Sequence, residues 1–141
     1  MSNEQISRPV ILVVEDDANQ RLYYQEELED AGYTVLTAAS GPEALKIVRE
    51  QKVDLVLLDI AMPGMDGVET LARMLDVNRE LPVVLNTAYS DYRDDFMAWA
   101  ADGYVTKSSD PTQLHEAIRA ALAKHSIQLP ARDEGTTSSE Q

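Results

Sequence analysis

Short, unbroken apolar runs alternate along this chain with longer stretches in which apolar residues recur every three or four positions. Val10-Ile11-Leu12-Val13-Val14 is the first run, continuous and β-branched, the pattern of a strand covered on both faces. Residues 18–31 follow with Tyr24, Leu28 and Ala31 at i, i+4 and i+7, an amphipathic helix stopped by Gly32. Tyr33–Ala39 predicts a second strand. Ser40 reads as an N-cap, and Glu43 completes a capping box for a helix reaching Glu50. Val53–Asp59 predicts the third strand, and Asp66-Gly67 turns the chain into a helix carrying Val68, Leu71 and Leu75. Leu81–Thr87 is the expected fourth strand, Asp91 caps a helix to Ala101, and Gly103–Thr106 is a short fifth strand. Asp110 as N-cap and Pro111 at the first helical position open a last helix, whose buried stripe is Leu114, Ile118, Ala121 and Leu122.

Five strands therefore alternate with five helices. Strands separated by helical patterns imply right-handed crossovers and an α/β fold, a doubly wound five-stranded parallel sheet with helices on both faces. The pattern bounds one domain over residues 9–125, with a polar leader over 1–8. Residues 126–141, which hold Pro130, Gly135 and a Thr-Thr-Ser-Ser run, are expected to form a disordered tail that the fold does not need.

At 141 residues the chain is long enough for a single core of ordinary size, and its 44% apolar content is that of a folded protein. A net charge of −13 argues against nucleic acid as a direct partner, because phosphate backbones require Lys and Arg footprints. The absence of Cys excludes disulfides and thiolate metal sites. No signal-peptide core and no membrane-length apolar stretch is visible, so the expectation is a cytoplasmic protein with no membrane partner.

The chemistry gathers at the strand ends. In a parallel sheet every strand points the same way, so Asp16, Asp59, Thr87 and Lys107 collect at one edge, the crevice in which open α/β sheets bind ligands. The first strand ends in Glu15-Asp16-Asp17 and the third in Asp59, and carboxylates brought together this way repel unless a hard cation sits among them. The set suits phosphoryl transfer. Asp59 would be the nucleophile forming an acyl phosphate, and Glu15, Asp16 and Asp59 would hold Mg²⁺. Lys107 would place an ammonium, and Thr87 a hydroxyl, on the phosphoryl oxygens. Little else is required, since this chemistry is mostly positioning and charge neutralisation.

Four segments also carry a family resemblance: Val13-Val14-Glu15-Asp16-Asp17, Leu58-Asp59 with Met62-Pro63-Gly64-Met65-Asp66-Gly67, Thr87-Ala88-Tyr89, and Gly103-Tyr104-Val105-Thr106-Lys107. In order and spacing the chain resembles a receiver domain of the two-component response regulators over residues 8–125. The resemblance implies a flavodoxin-like sheet in the strand order 2-1-3-4-5. It implies that Asp59 accepts phosphate from a histidine kinase or histidine phosphotransfer protein. It implies Mg²⁺ bound by Asp16, Asp59 and the Ala61 backbone carbonyl, with Glu15 reaching the metal through water. It further implies a switch in which Thr87 moves toward the phosphoryl group and Tyr104 turns inward. The face of the fourth helix, fifth strand and fifth helix then changes for a downstream protein effector. Such a protein is not an enzyme on an external substrate, though its own aspartyl phosphate is open to autodephosphorylation.

Competing readings attach to the same residues. An aspartyl-phosphate phosphatase or phosphotransferase would need a general acid two residues past Asp59, where Ala61 stands. A receiver fragment of a longer transcription regulator would leave its output domain outside this sequence, although the chain as it stands reads as a stand-alone receiver. Asp17 reads first as an N-cap, Asp66-Gly67 as a turn, and Tyr23, Tyr24 and Trp99 as packing or surface residues. His115 and His125 have no acidic neighbour at ligand spacing and read as structural. Ser108 departs from the proline that receivers carry after this lysine. A cis bond before a non-proline residue costs about 3–4 kcal/mol, so the 107–108 peptide is expected to be trans.

Overall fold

Residues 8–59, 67–88, 101–107, 110–125 and 127 are described by the structure, a computed structural model. Val10–Val14 (β1), Thr34–Ala38 (β2), Leu55–Leu58 (β3), Val83–Thr87 (β4) and Gly103–Thr106 (β5) form one parallel sheet in the order β2-β1-β3-β4-β5. Four helices lie among the described residues: Ala18–Asp30 (α1), Gly41–Glu50 (α2), Gly67–Val77 (α3) and Thr112–Lys124 (α4). The helix expected from Asp91 falls outside them, apart from its last residue, Ala101. So do residues 1–7, residues 60–66 with the Ala61 carbonyl and Asp66, Tyr89, Trp99, the Lys107–Ser108 bond, Ser126 and residues 128–141.

Unbroken apolar strands make sense once both sheet faces are covered. Leu12, Val14, Val56, Leu58, Val83 and Leu85 point to one side, where Ala44 and Leu45 of α2 and Leu71 and Met74 of α3 pack on them. Ile11, Val13, Leu55, Leu57, Val84 and Val105 point to the other, against Tyr24 and Leu28 of α1 and Leu114, Ile118, Ala121 and Leu122 of α4. The apolar residues of the central strands thus alternate between two cores, as the period of two requires.

Element ends depart from the sequence reading in instructive ways. Ala31 is exposed rather than part of the α1 stripe. It is the C-cap, followed by Gly32 at φ 99°, and the N–H groups of Gly32 and Tyr33 donate to the carbonyls of Glu29 and Leu28. This Schellman arrangement buries Tyr33 beside Leu28, taking the place expected for Ala31. Ser40 does cap α2, accepting from the Glu43 N–H at 3.3 Å, while the Glu43 carboxylate reaches one residue further back, to the Ala39 N–H at 2.8 Å. At α4 the cap residue is Pro111, not Asp110, yet the Asp110 carboxylate accepts from the Thr112 N–H at 3.0 Å and so still serves a free helix donor. Ile127 packs half-buried on the second core and its N–H donates to the Leu122 carbonyl at 2.9 Å, so ordered packing continues past His125.

Candidate functional site

β1, β3, β4 and β5 run parallel, and their C-terminal ends deliver Glu15, Asp59, Thr87 and Lys107 to one edge. Backbone bonds fix each position before any side chain acts. The Glu15 N–H donates to Ala38 at 3.0 Å, that of Asp59 to Val14 at 3.2 Å, and that of Lys107 to Thr87 at 2.8 Å. The acids are therefore extensions of the sheet ladder. Glu15 and Asp59 are buried, with only 2% and 6% of their surface exposed, whereas Asp16 is open to solvent.

Lys107 binds the buried acids together. Its ammonium donates to Glu15 Oε1 at 2.7 Å, to Gln20 Oε1 at 2.6 Å and to Asp59 Oδ2 at 3.1 Å. Burial pushes the Glu15 carboxyl above the usual carboxylate range, outweighing its bonds to Lys107 and the Asp17 N–H, and the charge of Asp59 adds to the rise. For Lys107 burial pulls downward, but Glu15 and Asp59 together outweigh it and the net shift is upward. The two partners differ because Lys107 faces two acids, whereas Glu15 faces one cation and the repelling charge of Asp59. Lys107 is accordingly a cation at neutral pH.

The acidic loop is held from below by α1. Asp17 caps that helix, accepting from the N–H groups of Asn19 and Gln20 at 2.9 and 3.1 Å, which is the capping role its position suggested. Arg21 Nη1 donates to the backbone carbonyls of Glu15 at 2.8 Å and Asp16 at 3.3 Å. Neither Gln20 nor Arg21 was among the residues expected at the site. Gln20 meets Lys107 across 87 positions, for which no local pattern exists. Arg21 carried one cue, a cation close to a helix N-terminus, where the dipole disfavours it.

A divalent cation fits the donors present. Glu15, Asp16 and Asp59 each offer a carboxylate oxygen, and these atoms lie within 4.8 Å of one another. The oxygens are hard, and the exposure of Asp16 leaves room for the waters that Mg²⁺ retains. Glu15 also accepts from Lys107 on Oε1 and from the Asp17 N–H on Oε2 at 3.2 Å.

Thr87 is fully buried. Leu85 pairs with Tyr104 and Thr87 with Thr106, which sets Thr87 and Tyr104 on one sheet face, two residues apart along adjacent strands. Tyr104 packs half-buried against the first core there. The histidines have acidic partners that lie far from them in sequence. His115 Nε2 is 2.9 Å from Glu27 Oε2, linking α4 to α1, and His125 Nε2 is 2.9 Å from Asp102 Oδ1. Both are long-range contacts.

A buried aspartate, a lysine on its carboxylate and acids able to hold a cation, all at the C-terminal edge of a 2-1-3-4-5 sheet, define a class of phospho-accepting signalling domains. The chain belongs to that class: residues 11–119 match the response regulator receiver domain, and it is a receiver of the two-component type. It is 33% identical over 125 residues to the alkaline phosphatase synthesis transcriptional regulatory protein PhoP of Bacillus subtilis, covering 87% of this chain and 52% of that protein. It is 37% identical over 115 residues to sporulation initiation phosphotransferase F of the same organism, covering 82% of this chain and 91% of that protein. Among solved structures it resembles the response regulator TrrA of Thermotoga maritima in complex with Mg²⁺-BeF. There the TM-score is 0.77 at 43% identity, covering 81% of this chain and 99% of that one. TrrA has also been solved in complex with the histidine kinase ThkA, with a TM-score of 0.75 to this chain over 98% of that one. The chain spans about half or less of the first four curated relatives, between 52% and 28% of their lengths.

Proposed function

We propose that Asp59 is the phosphoacceptor, supplied by a histidine kinase or histidine phosphotransfer protein, and that the phosphorylated domain signals to a protein effector. The observation that carries this reading is the direct bond from the Lys107 ammonium to a buried Asp59 carboxylate. An Asp59 oxygen attacks phosphorus, a phosphorus–oxygen bond forms, the bond to the donor imidazole breaks, and its electron pair leaves with the imidazole. Asp16 and Asp59, with the Ala61 carbonyl, would hold Mg²⁺, which when bound supplies positive charge to the phosphoryl oxygens. Lys107 donates to those oxygens from the other side, and Thr87 adds its hydroxyl.

The likeness to TrrA bound to Mg²⁺-BeF and to the histidine kinase ThkA supports the choice of metal and of donor. The shared face of Thr87 and Tyr104 supports a switch in which one follows the other. A fifth helix over residues 91–101 would complete the output face with β5 and α4. The domain acts on its own aspartate rather than on an external substrate. Among the described residues no helix is long and apolar enough to cross a membrane, and the reading places the protein in the cytoplasm with its donors. In this reading residues 9–125 are the receiver, 1–8 a leader and 126–141 a tail, of which Ile127 packs back on the domain. Incubation with Mg²⁺ and a small phosphodonor is expected to add one phosphoryl group to the wild type and none to Asp59→Asn, read by intact mass. Equal phosphorylation of the two proteins would overturn the assignment.

A further inference from the structure

The ammonium of a lysine has three protons to donate, and in this site all three are in use. The bonds to Glu15 and Gln20, at 2.7 and 2.6 Å, are short, and the one to Asp59, at 3.1 Å, is the longest. When Asp59 becomes an acyl phosphate its carboxylate loses its charge, and the phosphoryl oxygens beside it become the stronger acceptors. The donor that must turn is therefore the one on Asp59. The other two stay where they are.

From this division of labour we infer that Gln20 is a positioning residue for phosphoryl transfer, a permanent neutral tether that aims the Lys107 ammonium at Asp59. The proposal rests on Asp59 being the phosphoacceptor. Gln20 stands at the third position of α1, since Asp17 is the cap. In a capping box a glutamine there bends back to the N–H of the cap residue. Here the Asp17 N–H donates to Glu15 Oε2 instead, at 3.2 Å, which leaves the Gln20 amide available to Lys107. The same cap bond holds the Gln20 backbone in place, through its N–H to Asp17 Oδ1 at 3.1 Å.

The neutrality of the tether matters as well as its reach. Two carboxylates already face the ammonium, and a third would add negative charge where an anionic phosphoryl group must arrive. An amide oxygen fixes Lys107 without that repulsion. The side chain is exposed, so its replacement leaves the core untouched.

The test compares wild type, Gln20→Met and Gln20→Glu by two readouts. The first is hydrogen exchange of the Lys107 ammonium, followed by NMR in metal-free, unphosphorylated protein and assigned by its loss in Lys107→Ala. The second is the rate of phosphorylation by a small phosphodonor with Mg²⁺. Gln20→Met, of similar size but without the acceptor, is expected to speed ammonium exchange severalfold. It should slow phosphorylation about tenfold, the equivalent of one charge-assisted hydrogen bond. Gln20→Glu is expected to keep the ammonium protected and yet slow the reaction, through charge. Wild-type exchange in Gln20→Met would overturn the tether; faster exchange with a wild-type rate would overturn the positioning role. Should the wild type itself take no phosphoryl group, the phosphoacceptor reading fails, while the exchange comparison still decides the tether.

Discussion

At the scale of single residues, the site divides its acids by burial. Asp59 and Glu15 are buried at the sheet edge and share one cation, Lys107, whereas Asp16 faces solvent. The Asp16 backbone carbonyl is held by Arg21, a bond that substitution of the side chain leaves intact. Asp16→Asn is therefore expected to abolish Mg²⁺-dependent phosphorylation while changing folding stability by no more than roughly 0.5 kcal/mol, as for other exposed positions. Urea unfolding in metal-free buffer checks the second half, and a clearly lower midpoint would show that Asp16 has a structural duty. The acids, Thr87 and Lys107 were legible in the sequence because each ends or follows a strand, and parallel strands end together. Gln20 and Arg21 were not, because their roles depend on how α1 rotates against the sheet edge, which no local spacing encodes.

At the scale of elements, β1 and β3 were readable as unbroken apolar runs and the stripe of α4 from its periodicity, and the helix ends were less so. Ala31 lost its place to Tyr33 because the chain reverses through Gly32, a geometry decided by backbone bonds rather than by apolar spacing. A second such device ties β4, β5 and α4 together at the other end of the sheet. Asp102, just before β5, accepts from the Val83 N–H at 3.1 Å, from Lys124 at 3.3 Å and from His125 at 2.9 Å. Burial pushes its carboxyl up, but the His125 and Val83 bonds and the nearby charges outweigh it, so the net shift is downward. A carboxylate held below its unfolded value of 3.8 stabilises the fold above that pH and loses the contribution as the pH falls through the folded value. Asp102→Asn keeps an acceptor for Val83 but removes the charge. It is expected to cost about 1 kcal/mol at pH 7, the upper end for part-exposed pairs. The gap from wild type should close below pH 3.8. Calorimetric melting at both ends of that range would reveal a pH-independent gap if packing, rather than charge, were responsible.

At the scale of the whole molecule, the two cores are separate faces of one sheet, and the chain closes the second of them late. Composition suggested that everything beyond residue 125 is dispensable, since Ile127 sits among polar residues and belongs to no helical stripe. Its burial is decided instead by the end of α4. The His125 N–H donates to Ala121 and Leu122, and the Ile127 N–H to Leu122, which folds the chain back and lays the side chain over the core of α1 and α4. The isoleucine also borders a groove lined by Lys52, Val53, Asp54 and Pro82, at the strand ends opposite the acidic site. Half-burying an isoleucine contributes about 1–1.5 kcal/mol by transfer of its apolar surface. A chain ending at His125 is thus expected to unfold at a lower urea concentration than one ending at Gln128, with an unchanged slope. Both should accept a phosphoryl group at the same rate, because the lost contact lies at the far edge of the sheet. Equal urea midpoints would show that the isoleucine covers the core without stabilising it, and a slower phosphorylation of the shorter chain would show that the two ends of the sheet are coupled.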